Sequence, residues 1–233
     1  MSKYQEIAIA AKCAPDEAIL IDIEKVGIAA VELYVNHKWL HNIKTIKQIC
    51  RKFSFRYAVH APNDGYEPDL LAELVDDIKA EVVIFHDIYW EDEWEYIIKV
   101  FKDINTKLCI ENITSVHETS KLMRRFGLKR CLDIEHLQRE CAGIFEEEFI
   151  QIMSQSSHIH LTGYLYGSNL WHSHIHHSPE HNLHLLNLLE NAGYSGLVVS
   201  EAKTSYQTLP EFKMLNKFYQ EWKEEKYGKS FDK

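Results

Sequence analysis

The chain has 233 residues, 45% of them hydrophobic and 26% charged, with a formal charge of −9. That is enough for one sizeable core, and the composition excludes disordered, collagenous and low-complexity classes. The longest apolar runs, Val82–Phe85 and Leu197–Val199, are too short to span a bilayer, and the acidic balance argues against wide non-specific binding to nucleic acid.

Five cysteines (13, 50, 109, 131 and 141) make an odd count with no C-x-x-C pair. A disulfide framework or zinc ribbon is disfavoured, and a reducing cytoplasm is the default location. The start, Met1-Ser2-Lys3-Tyr4-Gln5-Glu6, has no leader-like pattern. Histidine is abundant, at 14 residues, and it is the commonest metal ligand and proton shuttle.

In chain order, β-rich runs alternate with helical patterns. The predicted strands are Glu6–Ala11, Ala30–Val35, Tyr57–His60, Val82–His86, Leu108–Glu111, Arg130–Asp133, His158–Leu161 and Leu197–Glu201. Several are continuous apolar runs, which suits parallel strands buried on both faces. Between them Asp69–Ala80, Trp94–Ile104, His117–Phe126, Glu146–Met153 and His184–Ala192 carry apolar residues at helical spacing. Gly127 and Gly193 are placed to stop helices, and a last helix spans Leu209–Glu225.

The strands recur about every 25 residues until the last interval, which is longer by about 15. This predicts one domain over 1–233, an α/β fold of the compact (β/α)8 TIM barrel type. The surplus falls in Gly163–His181, an extended His-rich loop after strand seven on the face where barrel chemistry is built. An open doubly wound sheet would normally have a glycine-rich first turn, and here that turn reads Lys12-Cys13-Ala14-Pro15-Asp16.

Six consecutive strands end in a metal-capable residue: His60, His86, Glu111, Asp133, His160 and Glu201. Alone, each has an ordinary structural explanation. Glu111-Asn112 could cap a helix, and Asp133-x-x-His136 could be an N-cap beside a surface histidine. In a barrel, however, the six converge on one mouth, where they would repel or be desolvated unless cations neutralise them. Histidine and carboxylate without thiolate suit Zn, Mn, Fe or Co.

The seventh loop adds five histidines between positions 172 and 181. His174 and His176, two apart in an extended loop, would point the same way and join the site, so His174→Ala should lower metal content. His172, His177, His181 and His184 are left as ligand, substrate-facing or exposed. Tyr89, Trp90, Tyr164, Tyr166 and Trp171 follow strand ends, where aromatic rings either wall a substrate pocket or cover a barrel rim.

The series Val59-His60-Ala61-Pro62, Phe85-His86, Glu111-Asn112, Leu132-Asp133-Ile134-Glu135-His136, His158-Ile159-His160-Leu161 and Val199-Ser200-Glu201 resembles the xylose-isomerase-like barrel superfamily, from about Glu6 to Glu201. That superfamily includes sugar isomerases and epimerases, keto-polyol dehydratases and the endonuclease IV class of apurinic-site nucleases. The resemblance implies a divalent ion on Glu111, Asp133, His160 and Glu201. It places His136 near substrate, or on a second metal in the nuclease class. That class also implies ligands at His60 and His86, and an Asp-x-His pair where this chain has His174-Ile175-His176. The departure at His174 puts a third metal in doubt, so one to three ions per chain are expected.

For an isomerase or epimerase, the resemblance implies proton transfer through a metal-stabilised enediolate, with Glu111 and Glu201 as base and acid and His136 assisting. The substrate would be a sugar, sugar phosphate or keto-polyol. The alternative is a multinuclear phosphodiesterase with His60, His86, His136, His174 and His176 as ligands. The acidic charge and short early loops disfavour a duplex substrate. A non-catalytic metal-binding barrel is a third class. A small carbohydrate-like partner is expected and no membrane; a homo-oligomer is left open.

Overall fold

The structure, a computed structural model, describes residues 6–113, 115–140, 146–164 and 171–228. Eight parallel strands close in the order β1-β10-β7-β6-β5-β4-β3-β2. They are β1 (Ala8–Cys13), β2 (Ala30–Tyr34), β3 (Arg56–His60), β4 (Val82–Phe85), β5 (Lys107–Glu111), β6 (Lys129–Asp133), β7 (His158–Leu161) and β10 (Leu197–Ser200). A small antiparallel hairpin, β8 (Gly163–Tyr164) with β9 (Trp171–Ser173), follows β7.

The helices between strands are α1 (Glu17–Lys25), α2 (His37–Leu40), α3 (Ile43–Cys50), α4 (Pro68–Ile78), α5 (Glu91–Val100), α6 (Val116–Phe126), α7 (Ile134–Glu140), α8 (Glu146–Ser154) and α9 (Pro179–Asn191). The final helix is α10 (Leu209–Tyr227). The (β/α)8 barrel expected from the strand period is the observed fold. Among the described residues, no helix is long and apolar enough to cross a membrane. Cys13, Cys50, Cys109 and Cys131 are buried free thiols; Cys141 lies outside the described residues.

Local chemistry sets the boundaries. Asp16 starts α1 by accepting from the backbone N–H of Ala18 and Ile19. Gly127 ends α6 in the left-handed region at φ 70°. Gly163 is fixed by space: a Cβ there would lie 2.1 Å from the His174 carbonyl oxygen.

Each strand presents two faces. Outward residues such as Val31, Leu33, Val59, Phe85, Ile110 and Leu132 join the main core under the helices. Inward residues form a second core inside the ring, with Ala10, Ala30 and Ala58 on one side and Val82, Ile84, Cys109, Cys131, Leu197 and Val199 completing it. Three alanines leave room there, and the layer above them is polar.

Candidate active site at the barrel mouth

Side chains alternate across a strand, so the inward set advances by two. Continuing each inward series toward the C-terminal end gives Lys12, Glu32, His60, His86, Glu111, Asp133, His160 and Glu201. The strand register sets these close: Lys12 pairs with Glu32, Asp133 with His160 and Val199 with His160. Glu32, Asp133 and His160 are wholly buried.

Glu111 is the hub. Its Oε2 lies 3.3 Å from His60 Nε2, 3.3 Å from His86 Nε2 and 3.5 Å from His160 Nδ1. Burial alone would raise its pKa, but the surrounding imidazoles, His160 foremost, hold it well below the usual carboxylate range. His60 donates from Nδ1 to the Ala61 carbonyl at 2.9 Å. Its pKa is lowered by burial and by the Lys12 ammonium, against the pull of Glu111, with which Nε2 makes a 3.3 Å hydrogen bond.

His160 is oriented from behind. Its Nε2 donates to Glu32 Oε2 at 3.0 Å, and the same oxygen accepts from His158 Nε2 at 2.8 Å. Nδ1 therefore faces forward, 3.5 Å from both Glu111 Oε2 and Glu201 Oε2. A carboxylate behind a histidine fixes its tautomer and sharpens its donor nitrogen. Glu32 stays ionised: burial opposes this, but His160, Lys12 and the bond from His158 outweigh it.

Asp133 has two jobs. Its Oδ1 accepts from the His136 backbone N–H at 2.8 Å and so caps α7, while Oδ2 is buried without a hydrogen bond. Burial, then the charges of Glu111 and Glu201, raise its pKa well above the ordinary value. Asn112 does not cap a helix. It clasps the Asp133 backbone, donating to its carbonyl at 2.9 Å and accepting from its N–H at 2.8 Å.

Asp133 Oδ2, His160 Nδ1 and Glu201 Oε2 are buried without a hydrogen-bond partner, and the last two lie 3.5 Å apart. Glu111, Asp133 and Glu201 crowd their carboxyl groups around one another, which on top of burial pushes the Asp133 pKa up, and a divalent cation would offset that repulsion. The donor set of Glu111, Asp133, His160 and Glu201 therefore fits a metal ion. His60, His86 and Glu111 also lie within ligating distance of one another, as a second group.

The cleft above this floor encloses about 520 Å3. His136 borders it, with Nδ1 donating to the Ile113 carbonyl at 3.0 Å and Nε2 lying 4.0 Å from Asp133 Oδ2. His172 reaches the cleft from β9 through a positive φ of 61°, with Nε2 3.6 Å from Glu135 Oε2. Tyr34, Lys203 and Gln207 also line it.

The structure corrects part of the sequence-based site. His174 is buried elsewhere: Nδ1 meets Ser200 Oγ at 2.9 Å, Nε2 donates to the Tyr206 carbonyl at 3.2 Å, and its ring packs on Phe212. His176 turns to Glu211, 3.1 Å away. A short 3₁₀ turn, Ile175–His177, replaces the expected extended loop, so residues two apart no longer project together. Neither histidine borders the cleft.

The aromatic wall also differs. Tyr89 donates to the Pro62 carbonyl at 3.1 Å and packs on Phe85 and Trp94. Trp90 is 78% exposed ahead of α5. Tyr164 sits beside His181 in a separate depression. Among the described residues, Tyr34 is the one Phe, Tyr or Trp that borders the cleft, 5.5 Å from the His60 ring. Tyr166 and the Trp171 side chain lie outside the described residues.

Two site residues escape the strand-end pattern. Lys12 bonds Glu201 Oε1 and lies 3.5 Å from Glu32 Oε1. Burial works against its charge, but Glu201, Glu32 and Glu111 outweigh it and hold its pKa above normal. The signal for both Lys12 and Glu32 was a charge inside an apolar strand, which requires a buried partner.

No family model matches the chain, and no curated protein sequence matches it. Solved structures do. D-allulose 3-epimerase from Methylomonas sp. aligns at TM-score 0.65 and 10% identity, over 95% of this chain and 100% of that one. The same enzyme bound to D-allulose aligns equally well. SacUVDE aligns at TM-score 0.58 and 14% identity, over 93% and 99%. Phosphoribosyl anthranilate isomerase from Thermotoga maritima aligns at TM-score 0.58 and 11% identity, over 92% and 99%. At these identities the likeness shows the fold, a TIM barrel shared among enzymes.

Proposed function

We propose that the chain is a divalent-metal-dependent isomerase or epimerase of a small polyhydroxylated carbonyl compound. One observation carries this: beneath a cleft of about 520 Å3 that Glu201 lines, Glu201 Oε2 and His160 Nδ1 lie 3.5 Å apart, and both, like Asp133 Oδ2 on the strand paired with His160, are buried without a hydrogen-bond partner. That volume suits a small ligand. The structural likeness to a barrel bound to D-allulose is in keeping with it.

Glu111, Asp133, His160 and Glu201 would hold the ion, which supplies Lewis-acid polarisation of the substrate's oxygens. The chain's residues supply the rest. Glu111 and Glu201 reach the cleft from opposite parts of the ring, so one removes the proton next to the carbonyl and the other returns one. Lys12, a fixed cation against Glu201, stabilises negative charge developing on the substrate. His136 Nε2, free of its backbone bond, accepts from or donates to a substrate hydroxyl.

A second reading draws on one observation. His60 and His86 both direct Nε2 at Glu111 Oε2, which favours a second ion and phosphoester hydrolysis by a multinuclear centre.

The test is incubation of the metal-loaded protein with a panel of ketoses and keto-polyols in D2O. Deuterium incorporation at the carbon next to the carbonyl is expected. No exchange with any of them, together with turnover of a small phosphodiester, would overturn the proposal in favour of the second reading.

A further inference from the structure

Part of the histidine tract of the seventh loop turns away from the mouth and assembles a different group. His177 Nε2 lies 2.8 Å and His176 Nε2 3.1 Å from the same oxygen, Glu211 Oε2, at the start of α10. The two rings are 4.3 Å apart and tilted by only 33°. We propose that His176, His177 and Glu211 form a zinc-class cation site, separate from the barrel mouth, that ties the strand-seven loop to α10.

Geometry supports it first. Zinc bonds of ~2.0–2.1 Å in a tetrahedron place neighbouring donor atoms ~3.3 Å apart, and the three donor atoms here lie within 4.8 Å of one another. Two imidazoles and one carboxylate make a borderline donor set, with no thiolate and no crowd of acids. The group is neither sealed nor open: the His176, His177 and Glu211 side chains are 7%, 20% and 24% exposed, which leaves a fourth position for water.

The position gives the site a purpose. It fixes the turn just after the hairpin that brings His172 to the cleft and His174 to Ser200. A cation joining this turn to α10 would hold that hairpin against the barrel without touching substrate.

The test is zinc titration of metal-stripped protein in competition with a chromophoric chelator. Wild type should take up one equivalent more than Glu211→Gln or His177→Ala. His184→Ala, which removes an exposed histidine from α9, should match wild type. His177→Cys, which keeps a ligand but not an imidazole, should restore the equivalent. Each variant is compared at the same circular dichroism, so a folding failure is seen separately. Equal zinc uptake by wild type, Glu211→Gln and His177→Ala would overturn the site. So would a loss in His177→Ala that the cysteine variant fails to recover in folded protein. Neither outcome bears on the mouth, whose donors are other residues.

Discussion

The barrel mouth and the strand-seven loop are both rich in imidazole, but they organise it differently. At the mouth, histidines and acids are far apart in sequence and meet because hydrogen-bonded strands impose a two-residue period on every one of them. In the loop the histidines are close together in sequence and separate in space. His172 enters the cleft, His174 packs under Ser200, and His176 and His177 turn to Glu211. Density along the chain is a weak guide to a site; register within a sheet is a strong one.

Substitutions on either side sharpen the contrast. The largest effect is expected for Glu111→Gln, which replaces the charged carboxylate that His60, His86 and His160 share with a neutral amide. On the proposed reading, in which Glu111 would both hold a cation and move a proton, activity should fall by about a thousandfold or more. Metal content should drop while far-UV circular dichroism is unchanged. Unfolding of this variant would instead make Glu111 structural.

Glu32→Gln comes next. It keeps the shape but removes the buried charge that faces Lys12, His158 and His160. Breaking such a pair costs about 3–5 kcal/mol, or a fall in melting temperature of about 6–20 °C at 2–4 °C per kcal/mol for a chain of this size. Thermal melts read this directly. A shift under about 2 °C would mean the cluster contributes little to folding.

His174→Ala separates loop from mouth. Losing a buried ring and its bonds to Ser200 and the Tyr206 carbonyl should cost about 2–3 kcal/mol. On the proposed reading, any ion bound at the mouth should be retained in elemental analysis, contrary to the expectation drawn from sequence. A loss of mouth metal would return the loop to the site.

The smallest effect is expected for Trp90→Ala. The ring is mostly exposed and borders no part of the cleft, so kcat/KM should stay within about twofold. A tenfold rise in KM would show that the rim moves onto substrate.

Sequence alone was a good guide to the frame. Predicted strands such as His158–Leu161 coincide with the observed ones, and others shift by one or two residues. Glu111, Asp133, His160 and Glu201 were legible because each ends an apolar run, and a polar group at that position needs a partner. Even the ambiguity over Asp133 was genuine chemistry, since one oxygen caps a helix and the other faces the site.

The tertiary structure decided what lies behind and around that quartet. Lys12 and Glu201 are 189 positions apart, and Glu32 and His160 are 128 apart. Only closure of the ring makes β1 a neighbour of both β10 and β2 and sets their charges opposite one another. The loop's fate likewise turned on a positive φ at His172 and a 3₁₀ turn at Ile175–His177. Those backbone choices depend on packing against the barrel and α10, which no local pattern of residues encodes.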